Sequence, residues 1–421
     1  MGRGLGRLLC GRGISALGDG MWFTIWAVYF IHVRDMPPAI VGAVMAVGAV
    51  GGMAAAVPIG LLADRRGARP VLVAATGVRA AAMAGYLVDG GLWWFVVTTV
   101  MFVTPANGGS AARTALVAAL VRDNAARIRA LAQQRVAQHI GYAIGAGLGT
   151  LVLAADRASV YQLAIIGNVG TFAVLAAITA TVPGPPPAPA SDRPPARRVL
   201  RDLPYVSVMG ATAVLSLCWA MLSTGLPLWI AGHTSLPLAL SGVVVVVSSV
   251  GIAALQVPTT RWARTPPAAA RTAVRAGAAL AASCALLAAT AGASGGWAVA
   301  LVIVAALLHL AGELGFVAAG WGLSVGLMPE DAKGAYQGMT ESATAAVQIV
   351  GPGFFALALT AGPTGWLLAA ALFLAAAAPV PALTRWAIRT RRTDDNLLRP
   401  GRTARSPCRD SRLYGDRVPH R

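Results

Sequence analysis

The chain has 421 residues, enough for two or more soluble domains, but its composition excludes a soluble surface. Hydrophobic residues make up 57%, charged residues only 12%, and mean hydropathy is +0.66, whereas soluble chains carry about a quarter charged residues. The net charge of +18 does not point to nucleic acid, because the arginines fall in short breaks between apolar runs and in the two tails, where membrane proteins concentrate positive charge.

A spanning helix needs about 20 mostly apolar residues. In chain order such runs are predicted at 12–32, 38–62, 71–89, 92–119, 132–154 and 160–182, then at 206–231, 237–258, 272–291, 297–325, 337–360 and 364–388. Turn residues separate several of them, at Asp35 to Pro38, Gly90-Gly91, Gly295-Gly296 and Gly362-Pro363. The basic opening (Arg3, Arg7, Arg12) suggests a signal peptide, but the apolar run is long enough to span and no clear small-residue cleavage site follows. Cys10, Cys218, Cys284 and Cys408 have no paired spacing, so no metal or redox motif is expected from them.

The expected organisation is an N-terminal six-helix bundle over 1–182, a Pro/Arg-rich linker over 183–204, a C-terminal six-helix bundle over 205–390 and a basic disordered tail over 391–421. The linker holds Pro183, Pro185, Pro186, Pro187, Pro189, Pro194 and Pro195, a composition that stiffens a chain without building a core. The tail is rich in arginine and poor in apolar residues, which leaves it without a core to join.

Loop charge tests the span count. With the N-terminus inside, the inner loops carry Arg65, Arg66 and Arg69; Arg122, Arg127 and Arg129; Arg193, Arg197, Arg198 and Arg201; Arg261, Arg264 and Arg271; and Lys333. The outer loops carry only Arg34 and Arg157. The alternation holds along the whole chain, so both termini are expected in the cytoplasm. A faint repeat accompanies it: Pro58 and Ala63 recur as Pro258 and Ala263, with degenerate chemistry between.

The loop between spans two and three runs from Gly60 through Ala63, Asp64, Arg65, Arg66 and Gly67 to Arg69. It resembles the signature loop of the major facilitator superfamily, G-x-L-A-D-R-x-G-R-R/K, with Ala68 at a commonly basic position. The resemblance covers about residues 8–390. It implies an all-α membrane protein of twelve transmembrane helices in two six-helix pseudo-repeats. It also implies a conformational lock made by Gly60, Asp64, Arg65, Gly67 and Arg69 on the cytoplasmic side, where Asp64 can accept hydrogen bonds from nearby arginines or from a helix N-terminus. The opening span, Ser15 to Trp22, resembles the macrolide-efflux-like drug exporters. In span five Gly141, Gly145 and Gly149 resemble the antiporter motif G-x-x-x-G-P-x-x-G-G, but Ala146 replaces its proline and Thr150 its last glycine. Close helix packing explains the same glycines.

Charged side chains inside the bilayer mark function by default. Asp19 lies about 10 Å into span one from Arg12, and Arg113 about 13 Å into span four from Arg122. Their similar depth suggests a pair serving proton coupling, the alternative being a structural ion pair. Glu313, mid-way along span ten, is a candidate for proton or substrate binding. His309, one turn earlier, joins Trp22, Trp26, Gln138 and Gln348 as candidate cavity residues. Glu341 is expected to pair with a loop arginine, and Arg79 to meet Asp64 or snorkel. Gln134, Arg135, Gln138 and His139 give span five a polar face. Trp219 and Trp321 are further cavity or anchor candidates; Trp229 and the pair Trp93-Trp94 are expected at the lipid interface.

The sequence contains no P-loop and no H-E-x-x-H. The expected function is therefore secondary transport: a proton-coupled antiporter exporting amphipathic small molecules. A proton symporter importing a nutrient is the alternative, and a membrane sensor or membrane-embedded enzyme the third reading. No cofactor or metal is expected beyond the proton gradient. The expected partners are a small-molecule substrate, protons and the bilayer, with no nucleic acid, and the protein is expected to be a multi-pass monomer of the cell (inner) membrane.

Overall fold

A computed structural model gives the fold and describes residues 3–121, 123–184, 198–237 and 239–398. Arg122, most of the proline-rich linker, Cys408 and the tail beyond 398 lie outside the described residues.

The described residues form helices and short connections, with no strand among them. In hydrocarbon every backbone N–H and C=O must find its partner within the segment, which selects helices. We label the long helices α1 (Gly4–Val33), α2 (Pro38–Arg66), α3 (Ala68–Gly85), α4 (Gly91–Leu120), α5 (Asn124–Ala155) and α6 (Ala158–Ala180). The second set is α7 (Leu203–His233), α8 (Ala239–Ala263), α9 (Pro266–Ala288), α10 (Gly295–Leu327), α11 (Lys333–Ala361) and α12 (Pro363–Arg391). Ten of these are long and apolar enough to cross a bilayer. The other two, α3 and α4, answer the predicted spans 71–89 and 92–119. With 18 residues α3 is about 27 Å long, near the minimum for the hydrocarbon core, and Arg69 and Arg79 dilute it. Thr98, Thr99, Thr104 and Asn107 dilute the 30-residue α4.

Local chemistry sets the ends. Pro38 opens α2 at a position where its missing N–H is not needed. Gly67 closes α2 with φ 93°, a backbone that side chains disfavour. The Asp123 carboxylate accepts from the Ala126 N–H to cap α5, and Asp202 caps α7 through Tyr205. α7 is not continuous. It is helical over Leu203–Val214 and Leu217–Ala220, passes through a π turn at Met221–Gly225 and resumes over Leu226–His233.

α1 packs on α5 and α6, α2 on α4, and α3 on α4 and α6; α9 packs on α10 and α12, α7 on α11 and α12, and α8 on α10. Two six-helix bundles result, meeting where α2 and α4 face α11 and where α5 faces α8 and α10. The first bundle has an aromatic core of Trp22, Tyr29, Phe30, Tyr86, Phe95 and Phe102. In the second, Trp229, Phe355, Trp366 and Phe373 are buried. Trp229 is thus not at the lipid interface: its indole N–H donates to Thr290 Oγ1 and its ring stacks on His233. Trp93 and Trp94 are exposed. Gly141, Gly145 and Gly149 face α1, where a Cβ at Gly141 or Gly145 would run into the carbonyl oxygen of Gly13 or Leu17.

Candidate functional site

The charged residues of the interior form two clusters joined across the bundle interface. In the first bundle Asp19 is 3% exposed. Its Oδ1 accepts from Arg79 Nη2 at 3.0 Å and its Oδ2 lies 3.6 Å from Arg12 Nη1. The Arg79 guanidinium sits over the Phe102 and Phe172 rings, 4.7 and 4.5 Å from their centroids, so ring faces and a carboxylate replace the water it has lost. This corrects the expected pair of Asp19 with Arg113, and the expectation that Arg79 meets Asp64 or snorkels. Equal depth fixes only the position along the membrane normal; the rotation of each helix decides which side chains face each other.

Arg113 lies one turn beyond Ser110 on the face of α4 turned to α11. Ser110 Oγ donates to Glu341 Oε1 at 2.8 Å. Glu341 therefore meets an α4 hydroxyl, not the loop arginine expected for it. Arg113 makes no hydrogen bond or ion pair with the described residues, and its buried Nε lacks an acceptor.

In the second bundle Glu313 is 2% exposed. It forms an ion pair with Arg135 of α5, reaching across the bundle interface, and accepts from the Trp219 indole N–H at 2.8 Å. The Arg135 guanidinium also lies over the Trp219 ring. Sequence reasoning placed Glu313 and Arg135 in separate roles; Arg135 falls close to the start of its predicted span and Glu313 mid-way along its own, so depth gave no sign of the pairing.

The candidate cavity residues divide. His309 Nε2 lies 2.8 Å from the Cys218 carbonyl oxygen, and Gln348 Nε2 donates to the Ser216 carbonyl oxygen at 3.0 Å. Both bond to carbonyls of the irregular stretch of α7, which also accept a backbone N–H from Met221 and Trp219; His309 also borders a small apolar cavity with Met221 and Ser283. Trp22 is packed, stacked on Tyr86, and the half-buried Trp26 borders the same core. Gln138 lies beside Tyr142 on α5. A cavity of about 190 Å³ lies between the bundles, with Arg135, Trp219, Phe316, Trp321 and Glu341 in its walls. Thr114, Thr212, Ser324, Thr340 and Thr344 also line it.

The cavity is closed off at the end that carries the α2–α3 loop. Asp64 Oδ1 and Oδ2 accept from the backbone N–H groups of Gly334 and Ala335 at 2.6 and 2.8 Å, at the start of α11. Of the two kinds of donor open to Asp64, the structure has the helix N-terminus. Gly60 and Gly334 approach so closely that a Cβ on either would meet the other's carbonyl oxygen. Arg69 Nη1 donates to the Val182 carbonyl oxygen at 3.2 Å, and Arg65 is exposed. Beside this contact Arg127, at the start of α5, makes a two-pronged bond to Glu330 at 2.7 and 3.2 Å. Lys333 adds a second cation to Glu330. The bonds from Arg127 hold the Glu330 carboxyl at about 2, well below the usual carboxylate range. Among the described residues no group of three or more His, Cys, Asp or Glu is placed to hold a metal ion.

Comparison with known proteins agrees with this architecture. The family model described as Major Facilitator Superfamily matches residues 8–352. No curated protein matches the sequence significantly. Among solved structures, a bacterial homologue of the iron transporter ferroportin in an outward-facing state has a TM-score of 0.75 at 15% identity, covering 92% of this chain and 100% of that one. The transporter FucP in its outward conformation has a TM-score of 0.68 at 13% identity, covering 91% and 98%. The human organic anion transporter MFSD10 (TETRAN) has a TM-score of 0.64 at 16% identity, covering 90% and 99%. At these identities the likeness is one of fold.

Proposed function

The chain belongs to the major facilitator superfamily, a family of transporters, and on that premise we propose that it is a proton-coupled antiporter exporting amphipathic small molecules by alternating access. The observation that carries the reading is the Arg135–Glu313 ion pair, made between the two bundles beside an aromatic-walled cavity. When the bundles rock apart this pair must break. The motion that releases substrate from one side therefore separates Glu313 from its cation. Asp19 and Arg113 form the second part of the proton-coupling set, with Asp19 holding Arg79 and Arg12. Mostly apolar helices favour a lipophilic cargo.

The orientation follows from loop charge. The end closed by Asp64 and Arg127 carries the basic loops, so it faces the cytoplasm and the described state has its cytoplasmic gate shut. The protein works in the cell membrane as a monomer, with both termini in the cytoplasm and the proton gradient in place of any cofactor.

The test uses everted membrane vesicles with an acidified interior and a pH-reporting dye. Across a panel of macrolides, lipophilic cations and other amphipathic drugs, zwitterions among them, at least one compound should collapse the gradient with the wild type and fail to do so with Glu313→Gln. A folded, inserted protein that leaves the gradient untouched across the panel overturns the export reading. Uptake into whole cells driven by an inward proton gradient would then favour import.

A further inference from the structure

Most of the interior charge is matched. Asp19 has one oxygen on Arg79 and the other facing Arg12, and Glu313 is paired with Arg135. Asp19 thus serves two cations, and two further charges have no such contact: Arg113 on the first bundle and Glu341 on the second. Neither makes an ion pair with the described residues, and they are not in contact with each other, although each lies within the other's electrostatic reach. Asp19 is turned to Arg79 and Arg12 and makes no ion pair with Arg113. Glu341 has only the neutral Ser110 hydroxyl and stands in the wall of the cavity. Thr114, the neighbour of Arg113 in sequence, lines the same cavity. A buried guanidinium donor without an acceptor and a carboxylate without a cation are each unfavourable in a site removed from bulk water.

We propose that Arg113 and Glu341 are the two poles of the substrate site, and that the substrate class is an aromatic or otherwise apolar zwitterion. Its anionic group bonds to the Arg113 guanidinium and its ammonium group to the Glu341 carboxylate. Its apolar body lies against Trp219, Phe316 and Trp321, whose ring faces also favour a cation. A zwitterion satisfies both orphan charges at once and leaves the net charge of the interior unchanged. A simple cation or anion satisfies one and leaves the other unmatched. Because the poles stand on different bundles, such a ligand also ties the bundles together across the cavity. The inference rests on the proposed role of this cavity as the substrate site.

The experiment is equilibrium binding to the purified full-length protein, which needs no proton gradient. The probes are phenylalanine (zwitterion), its methyl ester (cation), its N-acetyl derivative (anion) and the N-acetyl methyl ester (neutral). The zwitterion should bind at least tenfold more tightly than any of the other three. Arg113→Gln should bring the zwitterion down to the level of the cation, and Glu341→Gln down to the level of the anion. Arg113→Lys and Glu341→Asp keep the charge and should keep the preference, which separates recognition from a folding defect. Equal binding of cation and zwitterion by the wild type, an equal loss across all four probes in the variants, or no binding of any probe overturns the proposal. The vesicle assay with its drug panel judges the export reading separately, so the failure of one is distinguishable from the failure of the other.

Discussion

Arg12 and Arg79 share one buried carboxylate, that of Asp19. Removing it leaves two guanidinium groups in the first bundle with only the Phe102 and Phe172 ring faces for compensation. Breaking a buried ion pair from one side costs about 3–5 kcal/mol. Asp19→Asn should therefore lower the unfolding midpoint of the detergent-purified protein strongly, and Asp19→Glu should recover much of it. A midpoint unchanged in Asp19→Asn would show that water reaches these arginines. At this scale the sequence was partly legible. Asp19, Arg113 and Glu313 stand out because charge is rare at membrane depth. Their partners did not follow, because depth along a helix is readable from residue count and rotation about its axis is not. The role of His309 was hidden for a related reason. A histidine that bonds to a carbonyl of an irregular helix turn is visible only once the break in α7 is seen.

Among the helices, the α1–α5 contact shows how small residues act in lipid, where packing rather than water exclusion holds helices together. Gly145 lies against the Leu17 carbonyl, whereas Gly147, two residues on, has open space around it. Gly145→Leu should prevent the bundle from closing and yield little monodisperse protein after extraction, while Gly147→Leu should behave as wild type in size-exclusion chromatography. Equal yields would mean that α1 can shift without loss. The helices were the most legible feature of the sequence, because apolar length and alternating loop charge are set by the bilayer itself. The ends were less so: α5 begins at Asn124, eight residues before its predicted span at 132, since Arg127, which bonds to Glu330, and the exposed Arg129 do not register as apolar. The interruption of α7 was not legible, because its residues are as apolar as those of an unbroken helix.

For the molecule as a whole, the question is what holds the described state. The Arg127–Glu330 bond ties the two bundles outside the membrane. The Glu330 carboxyl titrates at about 2, depressed from its ordinary 4.5. A depressed carboxylate stabilises the state it belongs to above the ordinary value and loses that effect as pH falls through about 2. The tie should therefore stay intact between pH 8 and 5, and proton coupling must act elsewhere. Spin labels on the α4–α5 and α10–α11 loops should report one unchanged distance across that range in the wild type and a broader distribution in Glu330→Gln. A wild-type distance that broadens between pH 6 and 5 would make Glu330 part of the proton response.

The closure at Asp64 has a mutational asymmetry. On the α11 side it is made by the peptide groups of Gly334 and Ala335, which every residue but proline supplies. Truncating a side chain there removes nothing from the bond. What α11 can contribute is an obstruction, since one methyl group at Gly334 would collide with the Gly60 carbonyl. The latch is thus written genetically on α2 alone, where losing a carboxylate unfastens it; on α11 the route to the same result is by addition.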